Sequence, residues 1–324
     1  MAAEAVLPRP PYDAELAPML DVISTMLPPT LTADMLPALR QGTLPGMPSA
    51  EEVLAKARLR SRDVTIAGYR GGEIVVSVIE AEGRTGHGPG ILHTHGGGMI
   101  MGDRFGGIAA FAEWLHRYDG VLVSVEYRLA PEFPDPYPVE DCYAGLVWTA
   151  ENAEEIGLEA GRLLIAGASA GGGLAAGVAL LARDRQGPPL LGQMLLCPML
   201  DDRDATVSTR QYEGIGVWDR GSNLLGWGSL LGDRRGTPDV SIYAAPARAT
   251  DLSGLPPAYI DCGSAEVFRD EDVAYASAIW ASGGQAELHV WPGGFHGFDG
   301  LAPQAALSHD VVDARDRWIR RLLG

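Results

Sequence analysis

The chain has 324 residues, 46% hydrophobic and 21% charged, the composition of an ordinary folded globular protein long enough to bury a large core. Its 25 Lys+Arg against 42 Asp+Glu give a formal charge of -17, which repels the phosphate backbone that dominates nucleic-acid affinity and disfavours anionic membranes and strongly anionic ligands. The expected partner is a neutral or cationic small molecule, with no nucleic acid and no membrane.

Cys142, Cys197 and Cys262 are far apart and form no CxxC pair, so neither a disulfide framework nor a zinc site is expected. The start "MAAEAVLPRPPYDAEL" lacks the basic residues and apolar block of a secretory leader, and no apolar run reaches the roughly 18 residues of a membrane span. A cytoplasmic protein is the expectation.

Along the chain, "AELAPMLDVISTML" and "LTADMLPALR" carry apolar residues at helical spacing and predict two short helices, followed by a linker at "GTLPGMP". "DVTIAGY" and "EIVVSVIEAEG" alternate around Gly71-Gly72 and predict a β-hairpin with a two-residue connection. Strand and helix patterns then take turns: "GILHT", "GIAAFAEWLHRY", "GVLVSVEY", "VEDCYAGLVWTAENAEEIG", "RLLIAG", "GGLAAGVALLARDR" and "GQMLLCPML". That alternation predicts an α/β fold with a mostly parallel sheet and helices on both faces. The rhythm stops between Asp201 and Ala245, where Trp218 and Trp227 favour an ordered lid over a disordered loop. It resumes with "PPAYIDCG", a helix near Asp272 to Ser282, "AELHVWPGG" and the helix "HDVVDARDRWIRRLL".

Three loops following strands carry the chemistry. In "GASAGG" the spacing Gly167-x-Ser169-x-Gly171, after a strand and before a helix, predicts a sharp turn that exposes the Ser169 hydroxyl, although a Gly-rich nucleotide-binding turn has a similar look. In "HTHGGGMIMGD" the run His95-Gly96-Gly97-Gly98 lets backbone N–H groups turn toward one point, as an oxyanion hole requires. A phosphate nest has the same backbone geometry, but no lysine is near, and His93 with His95 is too small a set for a metal. In "WPGGFHGF" His296 follows the last strand pattern in a loop able to swing an imidazole over the sheet edge, whereas His289 lies within that strand.

Taken with "YRLAPE", these motifs resemble the bacterial hormone-sensitive-lipase-like esterases of the α/β-hydrolase superfamily, in one order over nearly the whole chain. The resemblance implies Ser169 as nucleophile, His296 as general base and an oxyanion hole from the N–H groups of Gly97, Gly98 and Ala170. It also implies a hydrolase core over 51–202 and 246–324, with 1–50 and 203–245 forming a cap. The family's acid pattern "DPLRDE" falls on "EVFRDE", so Glu266 stands at the acid position, and a Glu can hold the Nδ1 proton of a histidine as an Asp does. Ala168 and Met99 depart from the family's commoner residues, and Met99, Met101 and Trp218 are the candidate substrate-pocket residues.

The implied activity is hydrolysis of short-to-medium acyl esters without cofactor or metal, with a homodimer as a further expectation. Amide, lactone or carbamate hydrolysis uses the same triad. The plant gibberellin receptors resemble this family too but lack the base, and His296 argues against a receptor of that kind. Of the acids in "DCGSAEVFRDED", Asp261 closes a strand, while Asp270, Glu271 and Asp272 are expected to sit at a helix start and favour its N-terminal dipole.

Overall fold

Alternating side-chain direction along the predicted strands dictates a sheet that is apolar on both faces, and the computed structural model, described over residues 7–41 and 48–324, has one. Its strands are β1 (Leu59–Ala67), β2 (Glu73–Ala81), β3 (Gly88–Thr94), β4 (Val121–Glu126), β5 (Leu158–Ala168), β6 (Gly192–Leu196), β7 (Ala258–Gly263) and β8 (Ala286–Trp291). They form one eight-stranded sheet in the order β1-β2-β4-β3-β5-β6-β7-β8. The β1–β2 and β2–β4 pairs are antiparallel and all others are parallel, as the α/β pattern requires.

Neighbouring residues divide between the two faces. Leu92, Val123, Ile165, Leu195 and Ile260 enter the larger core, while Ile91, Leu122, Leu164, Met194 and Tyr259 enter a second core on the opposite side. Burying such strands on both faces needs helices on both, at roughly 25 cal/mol stabilisation per Å² of apolar surface removed from water.

The helices are α1 (Ala17–Met26), α2 (Leu36–Leu39), α3 (Ala50–Ala57), α4 (Ala112–Arg117), α5 (Tyr137–Glu151), α6 (Ala170–Asp184), α7 (Val207–Gln211), α8 (Arg220–Leu231), α9 (Arg269–Ala281), α10 (Phe298–Leu301) and α11 (Ala306–Leu323). Helix α6 runs through the larger core, and its glycines are there for close approach. A Cβ on Gly173 would lie 2.1 Å from Met199 O, and one on Gly177 2.2 Å from Tyr243 O. Among the described residues no helix is long and apolar enough to cross a membrane.

Several local expectations are corrected. The β1–β2 connection spans Gly68–Gly72 rather than two residues: Ala67 pairs with Glu73, and a 3₁₀ turn over Tyr69–Gly71 is fixed by the buried Asp141 carboxylate, which accepts from Tyr69 N at 2.8 Å. β1 also starts at Leu59, earlier than the alternation suggested. The helix expected over "GIAAFAEWLHRY" is a 3₁₀ turn at Ile108–Phe111 followed by the short α4. The expected lid segment contains α7 and α8, each N-capped by a side chain, Thr206 and Asp219 respectively. Most of the linker at "GTLPGMP" lies outside the described residues.

Candidate active site

The three motif loops follow β3, β5 and β8, and the acid segment follows β7, so all four leave the carboxyl edge of the parallel strands, where open α/β sheets bind ligands. Ser169 sits between β5 and α6 with φ 58° and ψ -124°, a strained conformation for a residue with a Cβ. The turn is held from three sides: Ser169 N donates to Leu196 O at 2.8 Å, and Ser169 O accepts from Met199 N at 2.9 Å and Gly173 N at 3.1 Å. Gly167 and Gly171 are needed there, because a Cβ on Gly171 would lie 2.0 Å from Thr94 O and one on Gly167 2.5 Å from Thr94 Oγ1.

His296 Nε2 lies 2.9 Å from Ser169 Oγ, and its Nδ1 lies 2.6 Å from Glu266 Oε2. Since a carboxylate only accepts, Nδ1 carries the proton and Nε2 is left to accept from the Ser169 hydroxyl. The other carboxylate oxygen, Oε1, accepts from Gly263 N at 2.7 Å, which fixes the Glu266 rotamer. The Glu266 side chain is 1% exposed and His296 11%, so the three groups meet largely out of water. Phe268 packs edge-on against the imidazole with ring centroids 5.2 Å apart.

One requirement of this geometry is absent from the motifs. The turn after β8 packs so tightly on the end of β7 that a Cβ on Gly263 would lie 1.9 Å from Gly294 O. Asp13 N adds a further tie, donating to Gly293 O at 3.0 Å.

The glycine run after β3 adopts backbone angles that favour glycine, with φ 110° at Gly97 and 62° at Gly98. A Cβ on Gly97 would lie 2.2 Å from Met101 O, and one on Gly98 2.3 Å from Trp218 Cη2. Trp218 is therefore packed on the glycine loop. Met101 is half-buried beside the larger core, whereas Met99, expected at a pocket wall, is fully buried within that core.

The residues behind the loop hold it rigid. Tyr127 OH donates to His95 O at 2.8 Å while its ring stacks on His95 at 4.1 Å, and Ala130 N donates to Met99 O at 3.0 Å. Burial pushes His93 down to about 3, and its Nδ1 lies 2.8 Å from Ser124 Oγ. Burial lowers His95 as well, and its Nδ1–H donates to Gly96 O at 2.8 Å. Both are neutral packing histidines. His289 lies along β8, stacked on Trp291 at 5.1 Å and 2.9 Å from Glu287 Oε1.

Arg40, which no motif singled out, bridges the loops. It donates to Ile100 O at 2.7 Å and Ala130 O at 2.6 Å, and pairs with Glu132 at 2.8 Å. The two segments expected to form a cap also touch: Thr30 Oγ1 donates to Asp219 Oδ2 at 2.6 Å, and Leu31 N to Ser222 Oγ at 2.9 Å.

Asp270, Glu271 and Asp272 stand in the first turn of α9, as expected, but Glu271 and Asp272 are buried there, and Asp261 lies within β7. Asp261 is buried against Arg315, which donates to it from Nε at 2.8 Å and Nη2 at 3.0 Å. Asp270 accepts from Ser208 N at 2.8 Å. Glu271 is buried and accepts from Leu200 N at 2.7 Å and Asp201 N at 3.2 Å, bracing the loop after β6. Asp272 is fully buried, and burial pushes both Glu271 and Asp272 well above the usual carboxylate range.

The sequence over residues 91–300 matches the family described as α/β hydrolase fold. Carboxylesterase NlhH of Mycobacterium tuberculosis is 33% identical over 305 residues, covering 92% of each chain, and Esterase LipI of the same organism is 34% identical over 230 residues, covering 67% of this chain and 68% of that one. Among solved structures, Bacterial Heroin Esterase superposes with a TM-score of 0.86 at 37% identity, covering 97% of this chain and 98% of that one. Esterase LipW from Mycobacterium marinum gives a TM-score of 0.84 at 30% identity, with the same coverage of 97% and 98%. The chain belongs to the α/β-hydrolase-fold family, in its hormone-sensitive-lipase-like branch.

Proposed function

We propose that this protein, a serine ester hydrolase, cleaves short-to-medium acyl esters through Ser169, His296 and Glu266. The observation that carries the reading is the continuous line of contacts from Glu266 Oε2 to His296 Nδ1 at 2.6 Å and from His296 Nε2 to Ser169 Oγ at 2.9 Å. His296 takes the Ser169 proton as the hydroxyl oxygen attacks the acyl carbon, and Glu266 stabilises the imidazolium that forms. The N–H groups of Gly97, Gly98 and Ala170 hold the developing oxyanion, a contribution of about 10²–10³ in rate for each such donor. His296 then returns its proton to the leaving alcohol, and water repeats the sequence on the acyl-enzyme.

In this reading the described part of residues 1–50, together with residues 203–245, forms the cap over the acyl site. Support comes from the Thr30–Asp219 and Leu31–Ser222 bonds that join the two segments and from Trp218, whose ring lies on Gly98. Trp218 limits the room beside the glycine loop, which favours small acyl groups, with Met101 as a further wall residue.

The test is hydrolysis of a p-nitrophenyl ester series from acetate to laurate, with an anilide of one acyl group beside its ester. The expected result is a maximum at short or medium chains, the ester cleaved faster than the anilide, and a fall of about 10³-fold or more in kcat for a folded Ser169→Ala variant. Undiminished turnover in that variant overturns the assignment.

A further inference from the structure

Cys197 follows β6, with φ 38° and its N–H donating to Asp261 O at 2.6 Å. That turn brings a third kind of donor to the Glu266–His296 pair. Cys197 Sγ, a Glu266 carboxylate oxygen and a His296 ring nitrogen all lie within 4.8 Å of one another. Thiolate, imidazole and carboxylate are the donors that bind zinc and its heavier relatives, with bonds of about 2.0–2.3 Å, so donors around a tetrahedral ion stand about 3.3–3.8 Å apart. To reach that spacing the Glu266–His296 pair opens from 2.6 Å and the Cys197 thiol draws in by up to about 1 Å.

We propose that Cys197, Glu266 and His296 form an inhibitory site for a thiophilic divalent cation of the zinc or cadmium kind. Inhibition rests on the reading of His296 as the base, whereas binding does not. His296 Nε2 faces Ser169 and Nδ1 faces Glu266, so the nitrogen that shares an ion with Glu266 is Nδ1. When the ion binds, the Cys197 S–H bond breaks, a metal–sulfur bond forms and the thiol proton leaves to solvent. The imidazole proton moves from Nδ1 to Nε2, with no change of oxidation state. A protonated Nε2 has no lone pair for the Ser169 hydroxyl, so the base is lost while the fold is kept. If Nε2 binds the ion instead, the same lone pair is consumed.

Selectivity follows from burial: Cys197 and Ser169 are both buried, at 8% and 9% exposure. Burial, and then the Glu266, Asp299, Asp261 and Asp272 carboxylates, push the Cys197 thiol well above its usual range, so it stays protonated and does not compete with Ser169 as a nucleophile until a metal displaces its proton. Cys142 and Cys262 are buried at 0% and 2% and serve as internal controls.

The experiment titrates the full chain with Cd²⁺, following p-nitrophenyl acetate hydrolysis and the ultraviolet charge-transfer band of a cadmium–thiolate bond. The expected result is an EDTA-reversible loss of about 100-fold or more at saturation, as disabling a triad base implies. The thiolate band appears in the wild type and in Ser169→Ala. Cys197→Ala and the near-isosteric Cys197→Ser, both checked for folding by thermal melts, keep most of their turnover and lose both the band and the inhibition. Equal inhibition in folded Cys197 variants, or a band that follows Cys262 instead, overturns the proposal. If Ser169→Ala stays active while the band persists, the metal site stands and the nucleophile assignment fails.

Discussion

Glu266 and His296 meet at 2.6 Å, with the remaining oxygen of Glu266 held by Gly263 N at 2.7 Å. The longer reach of a Glu at the acid position is thereby accommodated by a bond to the end of β7, which leaves the carboxylate a single place to stand. Replacing Glu266 by Gln removes the charge that stabilises the imidazolium and lets the amide oppose the required tautomer. Glu266→Gln is expected to lower kcat by about 10³–10⁴-fold, as loss of a triad acid does. Asp270→Asn, whose carboxylate bonds Ser208 N, is expected to stay within about tenfold of wild type. Steady-state kinetics of the two purified variants decide it, and the reverse ranking would move the acid to Asp270.

Gly98 offers a test of the glycine loop. Alanine there faces both a φ of 62° and a Trp218 atom 2.3 Å from the new Cβ. Gly98→Ala is expected to cut kcat by about 100-fold through displacement of one oxyanion donor. Adding Trp218→Phe removes the ring atoms in conflict, so the double variant should recover part of the loss. A double variant no better than the single would mean that the backbone angle alone is at fault.

Arg40 joins the segment before α3 to the loop after β3 and to "YRLAPE". Its pair with the exposed Glu132 contributes little, and the two carbonyl bonds, to Ile100 O and Ala130 O, contribute most. Arg40→Ala is expected to lower unfolding free energy by about 1–2 kcal/mol in urea denaturation. It should also raise KM, because the loop that carries Gly97 and Gly98 loses its outer brace at Ile100. Unchanged stability and kinetics would reduce Arg40 to an ornament of the surface.

Asp272 gives a pH signature. Its carboxyl is fully buried, neither oxygen meets an N–H or O–H partner among the described residues, and its pKa is raised above the unfolded value mainly by burial, with Glu266 and Glu271 adding to it. A raised folded pKa means that the folded state binds the proton more tightly, so the stabilising effect is full below the unfolded pKa and is lost as pH rises through the folded one. Asp272→Asn mimics the protonated form permanently. Its melting temperature is expected to match wild type only below the unfolded carboxylate pKa of about 3.9 and to exceed it increasingly as pH rises toward the folded one, by about 1–2 °C for each kcal/mol in a chain of this length. Parallel melting curves at every pH would contradict the assignment.

The sheet was legible because strand runs such as "GILHT" and "GVLVSVEY" are apolar at consecutive positions, Ile91-Leu92 and Val121-Leu122-Val123, and alternate with helical runs, a pattern expected of strands buried on both faces. Ser169 and His296 were legible because glycines flank them in places where a strand must turn. Other features left no such trace. A single glycine at the end of β7 does not announce that Gly294 O will stand 1.9 Å from the place of its Cβ. Glu271 and Asp272 resemble solvated helix-start charges until the loop after β6 packs over them, because local sequence encodes charge but not what covers it. The Arg40 bonds join residues far apart in the chain, and the five-residue β1–β2 connection depends on Asp141, a side chain from α5.

The Asp13–Gly293 bond ties the first part of the described chain to the turn before His296. It has a consequence for biosynthesis. A ribosome that has delivered Ser169 has delivered neither Glu266 nor His296, and Asp13 waits for a partner, Gly293, that follows both Ser169 and Glu266 in the chain. In the proposed reading the serine turn therefore emerges before its base, and the nascent chain stays inactive until β7 and β8 have been made. Contacts between such distant residues slow folding and expose unfinished sheet edges, so yield is expected to be most sensitive to changes in β7, β8 and the N-terminal segment that meets them.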